Sequence, residues 1–157
     1  MTDPLDPLRA ALDGVASSLE PGPRKRLAGA IATDLRTANA RRVRANVTPD
    51  GAAMTPRKPQ PTGGLRGAAE TSTKKGRMFR RAAAAAYLRK RATADTAEIG
   101  YFGPMGRIMN VHHRGLRDRV STEPGAPEVA YPARPVLGMT TEDRERVLDK
   151  VADAIGS

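Results

Sequence analysis

The side chains that could do chemistry here are few, and their spacing limits what they can do. His112 and His113 are the two histidines of the 157 residues, and there is no cysteine. Adjacent positions on a helix point about 100° apart. Both rings therefore rarely reach one ion, unlike the i, i+4 histidines of a zinc helix. With no acidic cluster beside them, packing accounts for the pair better than metal does: one ring against a sheet, the other hydrogen-bonded or meeting a neighbour. Nucleophilic catalysis needs a base and an orienting group beside the nucleophile. Ser17, Ser18, Ser72, Ser121 and Ser157 lie in ordinary contexts, none within a nucleophile elbow. Glu142, Asp143 and Glu145 are the one group of close carboxylates, and they fall on a solvated helix end. Gly63-Gly64 lacks the following Gly-Lys-Ser/Thr of a phosphate loop. The expectation is a protein with no enzymatic role, no metal and no cofactor.

Charge carries more information than these residues do. The net charge is +10, and it is concentrated: residues 23–91 hold eighteen Lys/Arg against three acids. Residues 1–22 hold one against four, residues 92–138 five against five, and residues 139–157 three against five. A basic stretch of this kind can release counterions from nucleic-acid phosphates or meet acidic neighbours in an assembly. Only Phe79 and Tyr87 in it could stack on bases, so sequence-specific recognition is not expected. Any DNA would be held by its phosphates, as the lining of a channel would hold it. Arg41, Arg42, Arg44, Lys74, Lys75 and Arg77 are the candidates for contact with DNA or with an acidic partner.

Docking is the third chemistry. Tyr131-Pro132-Ala133-Arg134-Pro135 can be an edge strand whose prolines prevent aggregation. It can equally be a stiff docking segment that loses little entropy on binding, with Arg134 making a bidentate pair with an acid across an interface. The flanking prolines leave few local acceptors, so the guanidinium is expected to project towards a partner.

The elements that must position these residues can be read from periodicity. At 157 residues the chain is sized for one domain with a modest core. It has no Trp, and its rings are Phe79, Tyr87, Tyr101, Phe102 and Tyr131. At about 25 cal/mol per Å² of buried apolar surface, an Ala-rich, aromatic-poor chain gains less than an average one, so neighbouring subunits are expected to complete its burial. No apolar run approaches the roughly 20 residues of a membrane span. The acidic, Pro-bearing N-terminus is unlike a signal peptide. A cytosolic product, or one assembled there into a particle, is expected.

Leu5, Leu8, Leu12, Val15 and Leu19 form the stripe of a first helix, capped by Asp3 or Asp6 and ended by Glu20-Pro21-Gly22-Pro23. A second helix, with Leu27, Ile31, Leu35 and Ala38 on its apolar face, runs to about Asn46. From Val47 to about Thr73 periodicity vanishes among prolines and glycines; this is either an arm that orders on a partner or a plain flexible loop. Lys74 to Arg91 is helical by propensity, with five alanines from Ala82 to Ala86, and the helix can end near Tyr87 to leave Leu88–Thr93 extended. Thr96–Phe102 fits a strand paired with it around Ala94-Asp95. Met105–His113 reads as a short helix closed by Gly115. Glu128–Val136 reads as a strand, limited to an edge or bulge by Pro132 and Pro135. Thr140 or Thr141 caps a last helix with Val147, Leu148, Val151, Ala154 and Ile155 on its apolar face. The fold class is α+β: an N-terminal helical hairpin over 1–46, an extended Pro/Gly-rich arm over 47–73, and a core over 74–157. That core is a small antiparallel sheet packed with a helix, followed by a C-terminal helix, and all three parts form a single domain over 1–157.

Three segments in fixed order carry a resemblance. They are Ala45-Asn46-Val47-Thr48-Pro49-Asp50-Gly51 leading to Met54-Thr55-Pro56-Arg57-Lys58, then Lys75-Gly76-Arg77-Met78-Phe79-Arg80, then the stretch Val111–Arg146 with its His pair, Pro/Gly loop and Pro-Ala-Arg-Pro run. Together they resemble the phage virion morphogenesis family, the tail completion proteins of long-tailed phages. The chain departs from that pattern at the alanine tract 82–86, where other members carry longer side chains. The resemblance implies a structural virion protein, assembled in the host cytoplasm. It would form a homo-hexameric ring around the DNA channel at the head–tail junction, touching tail tube or sheath and head connector proteins, and no membrane. It places Pro49, Asp50, Pro56, Arg57, Lys58, His112, His113, Tyr131, Arg134 and Pro135 among the interface candidates. Non-specific contact with packaged DNA would fit that placement. The rival classes are a small basic nucleic-acid-binding protein of chromatin or ribosome-associated type, contacting phosphates without sequence specificity, and a basic adaptor of toxin or chaperone type.

Overall fold

A computed structural model describes residues 3–56, 78–79 and 81–156. Helix α1 spans Asp6–Ser18 and α2 spans Pro21–Ala45. Strands β1, Leu88–Ala92, and β2, Ala97–Tyr101, form a hairpin. Helix α3 covers Gly103–Arg114, β3 Arg117–Arg119, β4 Glu128–Ala130 and α4 Thr141–Gly156. The fold is α+β, with four helices and two small antiparallel sheets among the described residues.

Helix α2 is the spine. It opens with Pro21 in its first turn, where the missing N–H has no partner to lose. It closes at Asn46 in the left-handed region, φ 59°, a conformation Asn tolerates better than most side chains. The Asn46 side chain holds the exit: its amide donates to Met54 O at 3.4 Å and its Oδ1 accepts from Met78 N at 3.2 Å. Ile31 and Leu35 of α2 pack with Val15 of α1 and with Val147 and Val151 of α4. Further along, Ala40 and Val43 pack with Met54, Ala82, Ala83, Leu88, Met109 and Val136. One helix therefore joins two aliphatic clusters. α1 is less covered than its stripe implies: Val15 is buried, while Leu5 and Leu12 are exposed.

The β1–β2 hairpin turns at Ala94-Asp95, as expected from the sequence. Thr93 N–H donates to Thr96 O at 2.9 Å, and the Thr93 hydroxyl oxygen accepts from Asp95 N and Thr96 N. These side-chain bonds close a turn without glycine.

Three expectations need correction. The helix expected from Lys74 is absent from its described part: residues 81–87 form successive turns, while Leu88–Ala92 is the extended segment that the sequence allowed after Tyr87. Phe79 sits at φ 58°, which no helix accommodates. The alanines bury Ala82 and Ala83 against Val43 and Met54 instead, so tertiary packing overrides their helix propensity. The strand expected over Glu128–Val136 stops at Ala130 and pairs with β3, in a ribbon separate from the hairpin. Pro132 and Pro135 have no N–H with which to extend the ladder. Of the expected arm, residues 57–73 lie outside the described residues. Residues 47–56 are held by the chain itself, through a Val47–Ala53 bridge and buried Met54.

Gly115 ends α3 at φ 68°, with Ala133 N 2.8 Å from where a Cβ would stand. Gly115→Ala is expected to cost about 1–3 kcal/mol, read as a lower melting temperature. An unchanged melting curve would contradict this close approach.

Candidate docking surface

Residues 131–140 form a strap across the C-terminal parts of α2 and α3. Its two prolines keep it extended and unpaired, so it is fastened by side chains. Arg134 is the first fastening. It is only 3% exposed. Its Nε donates to Thr55 O at 2.6 Å, its Nη2 to Pro56 O at 3.1 Å, and its Nη1 lies 3.3 Å from His112 Nδ1. Its backbone N–H donates to His112 O at 2.7 Å. The expectation of a guanidinium projecting outwards is therefore corrected. The prolines keep the local backbone extended, and a chain segment nearly eighty residues upstream supplies the acceptors. A buried guanidinium requires that supply. Burial lowers its pKa from the usual value, yet Arg stays charged.

The histidines diverge as helix geometry demands. Arg offers no acceptor, so His112 Nδ1 accepts and the proton of the neutral ring is on Nε2. That ring stands edge-on between Phe79, at 5.1 Å, and Tyr131, at 4.9 Å. The expectation of one ring against a sheet is thus replaced by an aromatic stack on the strap. His113 points the other way, and its Nδ1 accepts from Val136 N at 3.1 Å. Burial, with the neighbouring Arg114 charge, lowers its pKa below 6.5.

A depressed histidine pKa means the unfolded chain binds more protons below its own value. Stability is then complete above about pH 6.5 and falls as pH drops towards the folded value. Melting temperature is expected to fall between pH 7.5 and 5.5. His113→Gln should flatten that part of the profile, because its amide has no such titration. An unchanged slope in the variant would show that His113 is not the group responsible.

A second fastening joins the strap to α2 and α4. Asn39 is fully buried; its Oδ1 accepts from Gly138 N at 3.0 Å, and its amide donates to Leu35 O at 2.8 Å. Arg42 Nη2 donates to Gly138 O at 3.0 Å and lies 2.7 Å from Asp143 Oδ2. Asp143 is 1% exposed. It accepts from Thr140 N at 3.1 Å, while its own N–H donates to the Thr140 hydroxyl at 3.1 Å, and Arg146 holds its other oxygen. Burial pushes the Asp143 carboxyl up. The Arg42 and Thr140 hydrogen bonds and the charges of Arg42 and Arg146 outweigh it, leaving the pKa below 3.8. Arg42 was expected to face DNA or an acidic partner; the structure gives it an acid of its own chain. Pro49 closes the assembly, with its Cγ 2.5 Å from any Cβ at Gly138. Gly138→Ala is expected to cost about 1–3 kcal/mol by overpacking, seen as an earlier denaturant midpoint; an unshifted midpoint would contradict it.

The other candidates separate. Arg41, Arg44, Asp50, Pro56 and Pro135 are exposed, and Tyr131 is half-buried. A hydrogen bond from Thr48, with help from the Ala52 N–H, lowers the Asp50 pKa. Arg57, Lys58, Lys74, Lys75 and Arg77 lie outside the described residues. Sequence reasoning missed Asn39, Asp143 and Tyr101. Asn39 stands four residues after Leu35 on an apolar stripe, and Thr140-x-x-Asp143 has capping-box spacing, so two of the three had a signal. The Tyr101 hydroxyl is buried without a hydrogen-bond partner among the described residues, and burial raises its pKa to about 12. It borders an open groove of about 510 Å³ lined mainly by Leu35, Ile99, Met109, Val136 and Met139. The polar groups of the strap bond largely to one another, with Arg42 Nε buried without a partner among the described residues, and what they achieve is the fixed placement of a surface.

The sequence model of the phage virion morphogenesis family matches residues 3–156. Tail completion protein S of Escherichia phage P2 is 33% identical over 137 residues, covering 87% of this chain and 87% of that protein. No solved structure matches the chain.

Proposed function

We infer the function from one premise: the chain belongs to the phage virion morphogenesis family. Its work is structural and lies in the phage tail. In our reading it completes the tail at the end that meets the head. It sits there as a six-fold ring that caps the tube or sheath, offers a surface to the head connector and leaves a lumen for DNA. The observation that carries this reading is the extent of the match, which runs through the whole chain. A relative named for tail completion adds to it.

The physical observations support the assembly part. Leu5 just before α1, Leu12 on α1 and Ile155 on α4 are exposed apolar side chains, the kind of surface a neighbouring subunit covers. Identical copies joined head to tail close into a ring when the rotation between them closes. The strap, fastened at both ends within its own chain, would meet the connector as a preformed surface and lose little entropy on docking.

The test is a lysate of the encoding phage made without this chain. Filled heads and tails lying side by side, unjoined, are the expected result. Normal joined particles, or an absence of tails, would overturn the placement. In complete particles the copy number should be a multiple of six per tail; any other stoichiometry would remove the ring.

A further inference from the structure

We propose that the free edge of β1, with the adjoining ridge of α2, binds the phosphate backbone of double-stranded DNA. The sequence Leu88-Arg89-Lys90-Arg91-Ala92 sets three cations in a row on a strand whose one partner among the described residues is β2. A cleft of about 460 Å³ at this edge is lined by Thr33, Arg36, Ala85, Arg89, Lys90 and Arg91. Four of the six are cations and none is an acid.

Three of these four cations are held in place. Arg36 Nε donates to Leu88 O at 2.8 Å, which pins its guanidinium to the strand. The Lys90 ammonium donates to the Thr33 hydroxyl at 2.5 Å. Arg91 lies over the Phe102 ring at 3.8 Å. None of the four forms an ion pair with a described acid. The carboxylates closest in sequence or register do not neutralise them: Asp34 is paired with Lys150 at 3.1 Å, and Glu98, opposite Arg91 in the hairpin, makes no pair with it. Four like charges gathered at one cleft without an ion pair among the described residues repel one another, and a polyanion relieves that repulsion.

The ridge has the length and chemistry of a backbone contact. Thr33, Thr37, Arg41 and Arg44 follow at helical spacing on one exposed face of α2. Residues 33 to 44 extend roughly 16 Å at about 1.5 Å per residue. That is close to five phosphates of one strand, at roughly 3.4 Å of duplex axis each. An acidic protein surface is the less suitable occupant. Protein interfaces have cores depleted of charge and enriched in apolar and aromatic groups, whereas Ala85 is the single apolar residue lining this cleft. The contacts reach phosphates and no base edges, so they position DNA without reading sequence. The proposal stands on this surface alone and does not depend on the ring or on its place in the virion.

The test uses the full chain and a short fluorescent duplex of arbitrary sequence, with anisotropy measured from low to physiological salt. Log affinity should fall linearly with log salt. Arg89→Gln/Lys90→Gln/Arg91→Gln should weaken binding at least tenfold at low salt and reduce the slope by about two to three, at roughly 0.9 per phosphate contact. Arg41→Gln/Arg44→Gln, at the far end of the ridge, should reduce it by about one to two. Arg114→Gln/Arg117→Gln/Arg119→Gln removes equal charge elsewhere and should leave the slope unchanged. Equal losses in the two triple variants would mean that binding follows net charge, and the site would be wrong. Unchanged binding in both the strand-edge and the ridge variant would also overturn it. Binding of polyglutamate as tight as that of the duplex, lost in the same variants, would reassign the surface to an acidic protein.

Discussion

Arg134→Ala is expected to lower the stability of the isolated chain by about 3 kcal/mol, through the loss of the strap's first fastening. Hydrogen bonds to a charged group contribute about 1.5–3 kcal/mol each, and the guanidinium bridges Thr55 O, Pro56 O and His112. These terms are not additive, because the freed segments relax. Two carbonyls and a ring nitrogen would still lose their donor in a site that is 3% exposed. For a chain of this length each kcal/mol shifts the melting point by about 2–4 °C, so a fall of roughly 6–12 °C should be seen. Arg134→Lys should recover only part of it, since one ammonium cannot span acceptors arranged around a planar fork. Any defect in joining heads to tails should accompany this fall. A variant with native melting and defective joining would show that Arg134 acts across an interface and that its internal bonds are dispensable.

Asp143→Ala should be comparably damaging, by about 3–5 kcal/mol, because it removes one partner of a buried ion pair and leaves the other uncompensated. Arg42, its side chain 14% exposed, would keep only Gly138 O. The same substitution removes the acceptor of Thr140 N at the start of α4. Asp143→Asn keeps the shape and isolates the charge. The sign of the acid response follows from the depressed pKa: the stabilisation is present above 3.8 and is lost as pH falls through the folded value. The wild-type chain should therefore lose stability more steeply than Asp143→Asn below about pH 4. Parallel acid profiles for the two would show that the carboxylate is not the titrating group, and an unaffected midpoint in Asp143→Ala would remove the strap's second fastening.

These two residues mark where the sequence was legible and where it was not. Helices α2 and α4 were readable because apolar residues recur at helical spacing between boundary residues, the Pro21–Pro23 run and Asn46 for α2 and Thr140 for α4, although α2 begins two residues before the Pro23 that marked its first turn. The β1–β2 hairpin was readable from alternation and from the Ala94-Asp95 turn. Such signals are local. The alanine tract misled because its propensity is local too, while its burial depends on Val43 and Met54 more than twenty-five residues away. The orientation of Arg134 was hidden for the same reason: nothing near it announces Thr55 and Pro56 as acceptors. Asp143 was visible as a first-turn acid, but its pairing with Arg42 joins residues about a hundred positions apart in the sequence. The basic middle was legible as charge. Only the fold separates Arg42, paired inside with Asp143, from Arg89, Lys90 and Arg91, which form no ion pair among the described residues.

The central claim, that this chain completes the tail and not the head, is tested most directly by order of addition. Tails and filled heads would be purified separately from cells infected with phage lacking the chain. Tails incubated with purified protein, freed of excess and then mixed with heads should yield infectious particles. Heads treated in the same way and then mixed with untreated tails should yield none. Infectivity restored through treated heads, with treated tails remaining inert, would place the protein on the wrong side of the junction and contradict the account.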